Sequence, residues 1–267
     1  MKFFKYIITL LLLLIFTISS YSQLTPPKPL MSQKVYKAFI KNHIDYPNIS
    51  LKQKQQGVVT IEFNADLEGN ITNYSISNSV SKELDSAAIS IFKLILWKPA
   101  TSIGKPIAGT SEFQIKYNIK SFNKNAKKRG YFHIPAPTYG SDTSLKIYQF
   151  KQLDTFPKVI LTSNASSIQQ YIYNNLTYPD AASKLALSGA VEISFIIETN
   201  GLPSNITPIS YLGGGCTEEA IRIIESINWQ PGILKNKSVR SYHTITISFQ
   251  KNENRDGHIP NQQGSGI

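Results

Sequence analysis

Hydrophobic and polar residues follow one order along the chain, and that order appears twice. Residues 33–44 and 167–176 carry apolar side chains at helical spacing, and a Tyr-Pro pair ends each stretch because proline pushes the preceding residue out of helical geometry. Residues 57–65 then alternate, with Val59, Ile61 and Phe63 on one face. This alternation predicts a half-buried strand, and the Gly-containing turn after it predicts a hairpin with a second strand.

A second helix and a last strand complete each copy. Each helix has one apolar face, and a Trp-x-Pro segment ends it. The helix faces consist of Leu84, Ala88, Ile91, Phe92 and Ile95 in the first copy and Cys216, Ala220, Ile223, Ile224 and Ile227 in the second. The last strands alternate through Phe113, Ile115, Tyr117 and Ile119, and through Ile245, Ile247 and Phe249.

The two copies align without a gap at an offset of 132 residues. Residues 39–117 and 171–249 share 19 identities in 79 positions, which indicates a tandem duplication. The predicted fold class is α+β: two tandem small domains, residues 29–121 and 147–251, each a three-stranded antiparallel sheet packed with two helices. Residues 122–146 are interpreted as a solvated basic and Pro-containing linker, since residues 120–129 hold five basic side chains and no acidic one.

The two ends of the chain carry different predictions. Lys2 and Lys5 precede a short apolar run and then small residues, which predicts a cleavable signal peptide at residues 1–22 and a periplasmic mature protein. An uncleaved inner-membrane anchor that faces the periplasm is the alternative, although the run is shorter than the roughly 20 residues of a spanning helix. Residues 252–267 lack apolar periodicity and are predicted to form a mobile tail.

The composition argues against several kinds of chemistry. One cysteine and four scattered histidines offer no metal-binding spacing, and no nucleophile, base and orienter set is apparent, so no metal, cofactor or catalytic residue is expected. The formal charge of +11 does not indicate nucleic-acid binding in an exported protein. Trp97, Trp229 and Cys216 are interpreted as core residues, and Gly213, Gly214 and Gly215 as a turn.

The order of these landmarks resembles the C-terminal domain of TonB. The shared landmarks are Tyr-Pro, Gly-x-Val-x-Ile-x-Phe, a turn that ends in Gly, an Ala-bearing helix, Trp-x-Pro and a Lys-bearing loop. The resemblance implies a non-enzymatic periplasmic module that adds an extended segment of an outer-membrane transporter or another envelope protein to its sheet edge. Neither the usual membrane anchor nor the long Pro-rich arm of TonB is apparent, which argues against the alternative of a membrane-held energy transducer. An envelope enzyme is the least favoured reading.

The resemblance also implies where partners would bind. The expected edges are residues 111–120 and 244–250, and a homodimer through the same edges is an alternative occupant. The contacts carried over from the family are Tyr46, Pro47, Tyr178 and Pro179. On the second edge the expected contacts are Thr244, Thr246 and Ser248. Independently of the resemblance, Lys105 and Lys237 lie in matching loops and are expected to contact an acidic partner.

Overall fold

The computed structural model describes residues 24–161 and 165–250. The expected signal peptide and tail lie outside these described residues. The chain divides between His133 and Ile134 into two compact units, and both units have the α+β architecture of tandem small domains that the repeat predicted. Within the described ranges, no helix is both long and apolar enough to cross a membrane.

The first unit is built around a three-stranded antiparallel sheet in the order β3-β2-β7. Short strands pair at its margins, β1 with β4 and β5 with β6. Its elements in chain order are β1 (Lys28–Pro29), α1 (Gln33–His43), α2 (Asn48–Lys52), β2 (Gly57–Ala65), β3 (Ile71–Asn78), α3 (Lys82–Leu94), β4 (Trp97–Lys98), β5 (Ala100–Ser102), β6 (Lys105–Ile107), β7 (Gly109–Tyr117) and α4 (Ile119–Arg129).

The core of the first unit lies on one face of this sheet. The alternating apolar residues of β2 and β7 are at most 2% exposed, as are Leu84, Ala88 and Phe92 from α3. Helix α1 adds Val35 and Phe39, and Ser32 caps its N-terminus through a hydrogen bond from Val35 N–H at 3.4 Å. The period of two in the strands and the helical period in α1 and α3 therefore bury one common surface.

The second unit repeats this order with additional strands. Its elements are β8 (Gly140–Ser141), β9 (Ile147–Tyr148), a 3₁₀ turn (Phe150–Gln152), β10 (Lys158–Val159), α5 (Ile168–Asn175), α6 (Asp180–Lys184), β11 (Gly189–Ile197), β12 (Pro203–Pro208), α7 (Cys216–Ser226), β13 (Trp229–Gln230), β14 (Gly232–Leu234) and β15 (Lys237–Phe249).

The sheet of the second unit is larger than the predicted three strands. Its order is β12-β11-β15-β14, and β8 and β9 pair with β15 in parallel. The enlargement arises because β15 runs for 13 residues, long enough to pair with β14 and β8 near its start and with β11 along the remainder. The central antiparallel strands β12, β11 and β15 correspond to β3, β2 and β7.

The basic segment that follows β7 is a helix, not the solvated linker that the charge run suggested. The strand ends at Tyr117, so Ile119 and Lys120 belong to α4 and not to the last strand. Phe122 and Ala126 are buried at i and i+4. The first unit therefore extends beyond residue 121.

Both ends of α4 carry specific caps. Asn118 Oδ1 accepts a hydrogen bond from Ser121 N–H at 2.9 Å, and Gly130 ends the helix at φ 86° with its N–H donating to Ala126 O. Arg129 donates to the carbonyl oxygens of Asn42 and Ile44 at 2.6 and 3.2 Å. The helix is thus fixed to the end of α1.

Candidate functional site

Two of the three central strands in each sheet are outer strands: β3 and β7 in the first unit, and β12 and β15 in the second. The edges expected from the sequence are those of β7 and β15. In the first unit β7 pairs only with β2, so its other side is free along Gly109–Tyr117 among the described strands. In the second unit β15 is covered by β8 and β9 up to Ser241, and residues 242–249 pair with β11 alone. An unpaired edge presents N–H and C=O groups to which another chain can add a strand.

The backbone of Thr246 points to the open side of β15. Its partner across the ladder is Glu192, whose N–H donates to Ser210 Oγ at 2.8 Å and whose C=O accepts from Ser210 N–H at 3.3 Å. Both backbone groups of Glu192 therefore face β12. In an antiparallel ladder the residue opposite then directs its own N–H and C=O outward. By alternation, Thr244 and Ser248 do the same.

The same argument applies to Gln114 on β7. Gln114 lies opposite Thr60, whose carbonyl oxygen accepts from Ser77 Oγ on β3 at 3.4 Å. Thr60 faces β3, so Gln114 directs its N–H and C=O to the free side, and by alternation Glu112 and Lys116 do so as well. Sequence reasoning did not single out Glu112, Gln114 and Lys116, although the offset of 132 places them exactly on Thr244, Thr246 and Ser248.

The exposed side chains at these edges complete the site. Thr244, Thr246 and Ser248 are exposed, as are Glu112, Gln114 and Lys116. Their neighbours on the other face, Ile115 and Ile247 among them, are buried. A strand added at either edge would hence find backbone partners in the plane of the sheet and polar side chains on one face.

The first part of the β15 edge, up to Ser241, is covered by the segment that carries β8 and β9. Arg240 donates to Glu198 through Nε at 2.7 Å and Nη2 at 2.9 Å, and through Nη1 to the carbonyl oxygen of Leu145 at 3.0 Å. Ser204 also donates to Glu198. The side chains of Arg240 and Glu198 are 4% and 3% exposed. This buried, fully bonded pair fixes the segment that carries β9 against β15.

His243 lies where the open part of β15 begins. Its ring packs near Phe195 and Trp229, with centroids 6.0 and 6.3 Å away, and Nε2 lies 3.2 Å from Ser241 Oγ. Burial lowers the pKa of His243 to about 4, so the imidazole is neutral at neutral pH. This end of the β15 edge therefore carries no histidine charge.

The two Tyr-Pro pairs lie in similar positions but differ in exposure. Tyr46 is fully buried, its hydroxyl donates to Gln55 O, and its ring packs edge-on to Tyr117 at 5.4 Å. Its ring therefore packs the core and offers no surface to a partner. Tyr178 is half-buried and donates to Leu187 O. Pro47 and Pro179, both half-buried, directly precede α2 and α6.

Lys105 and Lys237 occupy matching exposed positions at tight hairpins. Lys105 follows Ile103 and Gly104, and Lys237 follows Lys235 and Asn236, which all have positive φ. Both lysines directly follow their turns, at the first residues of β6 and β15. They lie outside the set of outward-facing edge residues.

The residues interpreted as core lie in the core. Trp97 and Trp229 are 8% and 6% exposed, and Cys216 is fully buried at the position that Leu84 occupies in the first unit. Burial raises the pKa of the Cys216 thiol, which keeps it protonated. Gly214 and Gly215 form a turn with positive φ that packs against Ala182 and Pro179. Over residues 24–161 and 165–250, no group of three or more acidic, His or Cys side chains could hold a metal ion.

Comparison with known proteins matches both copies to one family. The family model described as Gram-negative bacterial TonB protein C-terminal matches residues 42–119 and 174–250, more than half of the chain. Each match runs from the end of the first helix to the end of the last strand, and the two matches contain the β7 edge and the β15 edge. No curated protein matches the sequence significantly.

Proposed function

Because the chain belongs to the TonB C-terminal family, a family of protein-interaction domains, we propose that it is a non-enzymatic periplasmic binding protein that captures extended segments of partner proteins at its open edges. The observation that carries this proposal is the direction of the edge backbone. Gln114 and Thr246, at corresponding positions of the two units, direct their N–H and C=O groups outward. Main-chain pairing at such an edge supplies affinity for any extended segment.

The partners proposed here are the N-terminal segments of outer-membrane transporters or other envelope proteins, in TonB-dependent transport. Such segments are extended chains, so they present the same alternating backbone groups as a strand of a sheet. An added strand of six residues would cover about 20 Å. It would therefore fit along either edge, since the open part is nine residues long on β7 and eight on β15. Two acceptor edges in one chain support capture of two segments.

Proline and alanine substitutions at the edge test this proposal. Proline at Gln114 or Thr246 removes an outward N–H but no ladder hydrogen bond, because proline is tolerated on an edge strand whose N–H faces outward. We expect Gln114→Pro and Thr246→Pro each to weaken capture of extended peptides, and the double variant to abolish it. Gln114→Ala and Thr246→Ala keep the N–H and should change affinity by less than about threefold.

The measurement is a fluorescence-anisotropy titration of the full chain with labelled peptides from transporter N-termini. Circular dichroism and thermal melting must first show that the proline variants are folded. Unchanged binding by a folded double-proline variant would contradict capture at these edges and redirect attention to the surface around Pro47 and Pro179.

A further inference from the structure

The two units differ sharply in charge although they arose by duplication. Residues 24–133 hold 16 Lys and Arg side chains against seven Asp and Glu, whereas residues 134–250 hold eight of each kind. The positive charge of the described chain is thus concentrated in the first unit. A difference of this size changes which ligands a surface attracts.

Part of this charge lies directly beside the open edge of β7. Lys37 and Lys41 on α1 and Lys116 on β7 line one groove, whose floor includes Ile40, Ile44 and Phe122. Lys116 also directs its backbone to the open edge, as argued above. The groove is therefore continuous with the edge where a partner strand would pair.

These three lysines are available to a ligand. Lys37, Lys41 and Lys116 are exposed, and none of them takes part in the ion pairs found among the described residues. At the offset of 132 the second unit has Gln169, Tyr173 and Ser248 in their places. Among the described residues, this set of three lysines is therefore found in the first unit only.

We propose that the β7 edge selects acidic extended segments, whose Asp and Glu side chains lie against Lys37, Lys41 and Lys116, whereas the β15 edge has no such preference. This inference rests on the proposed function, because it names the chemistry of the partner at one of the two edges. A peptide strand suits this site better than a lipid surface. It pairs with the backbone of Gln114 and places alternate side chains in the adjacent groove, which a flat headgroup layer cannot do.

The test compares two matched peptides on the full chain. One labelled ten-residue peptide alternates Glu with Val, and the second replaces every Glu by Gln. The Thr246→Pro variant serves as the host protein, so that the β15 edge does not contribute to the measured binding, and Gln114→Pro in this host identifies the share that is due to the β7 edge. We expect the Glu peptide to bind about tenfold more tightly at low salt, and this preference to shrink towards unity at high salt, where exposed charges are screened.

Two triple variants separate local contact from net charge. Replacing Lys37, Lys41 and Lys116 by Gln should remove the preference for the Glu peptide and leave binding of the Gln peptide unchanged. Replacing Lys28, Lys82 and Lys98 by Gln changes the charge by the same amount at exposed positions outside the groove, and should retain most of the preference.

The outcomes distinguish the inference from the function on which it rests. If both peptides bind equally and Gln114→Pro abolishes both, the edge captures strands but the inferred selectivity is wrong. If neither peptide binds, the proposed function fails at this edge and the inference fails with it. If anionic phosphatidylglycerol vesicles bind through the same lysines and Gln114→Pro has no effect on binding, the groove recognises a lipid surface, which would overturn the inference.

Discussion

In each copy, the glycine of the hairpin turn packs against the backbone of the Trp-x-Pro segment. Gly69 and Gly201 have φ values of 88° and 79°, and a Cβ on either would lie 2.2 or 1.8 Å from the carbonyl oxygen of Trp97 or Trp229. The hairpin turn of each unit thus lies directly against the backbone that follows α3 or α7. This contact explains why a glycine recurs at this position in both copies, 132 residues apart.

A pair of glycine substitutions in the first unit tests this contact. Gly69→Ala meets both a positive φ and a backbone atom, and we expect it to lower the free energy of unfolding by about 3 kcal/mol. Gly104 also has a positive φ, of 74°, but nothing lies within 4 Å of its added Cβ, so Gly104→Ala should cost only about 1 kcal/mol. Urea unfolding measures both values, and equal losses would show that the approach of Trp97 contributes nothing.

At the scale of elements, the sequence predicted the helices and strands that have a clear apolar period. It missed the helix whose basic composition resembles that of a linker. Strand β2 has the predicted bounds, and α1 ends within one residue of the predicted end, because alternation and helical spacing report burial directly. Helix α4 was missed because five basic side chains dominate its composition. Its signals were Asn118, the Phe122 and Ala126 pair, and Gly130. The two-residue strands β8 and β9 are too short to carry any period.

Substitutions in α4 measure how much it contributes to the first unit. Phe122 is 2% exposed and packs 5.2 Å from the ring of Tyr46, so Phe122→Ala should lower the free energy of unfolding by about 3 kcal/mol. Lys124 is exposed on the same helix, and Lys124→Ala should change the free energy by less than about 0.5 kcal/mol. Denaturant titrations of the full chain provide both numbers. If neither substitution changes the free energy of unfolding, this segment behaves as a solvated linker and not as a packed helix.

At the scale of the whole molecule, the duplication was evident in the sequence but the differences between the copies were not. The offset of 132 located both sheets and, through them, the edges of β7 and β15. The buried pair of Glu198 and Arg240 could not be predicted, because its members lie 42 residues apart and the first unit has Asp66 and Ala108 in their places. Contacts of this kind depend on the fold and leave no local pattern.

Fragments of the chain test the division into two units. We expect residues 24–133 and 134–250 to fold separately, since each unit buries its own core. Residues 24–121 should be less stable than 24–133 because they lack Phe122, Ala126 and Arg129. Amide exchange and thermal melting of the three fragments check this, and two halves that are ordered only when mixed would refute independent folding.

The concentration of positive charge in the first unit also has a kinetic consequence. Long-range attraction accelerates the diffusional encounter of oppositely charged molecules, whereas short-range contacts set how long a complex lasts. An acidic segment should therefore reach the first unit sooner than the neutral second unit, even where the two final complexes are equally stable. Association rates should fall steeply with ionic strength for the first unit and hardly at all for the second. The duplicated chain would then discriminate between ligands by association rate as well as by affinity.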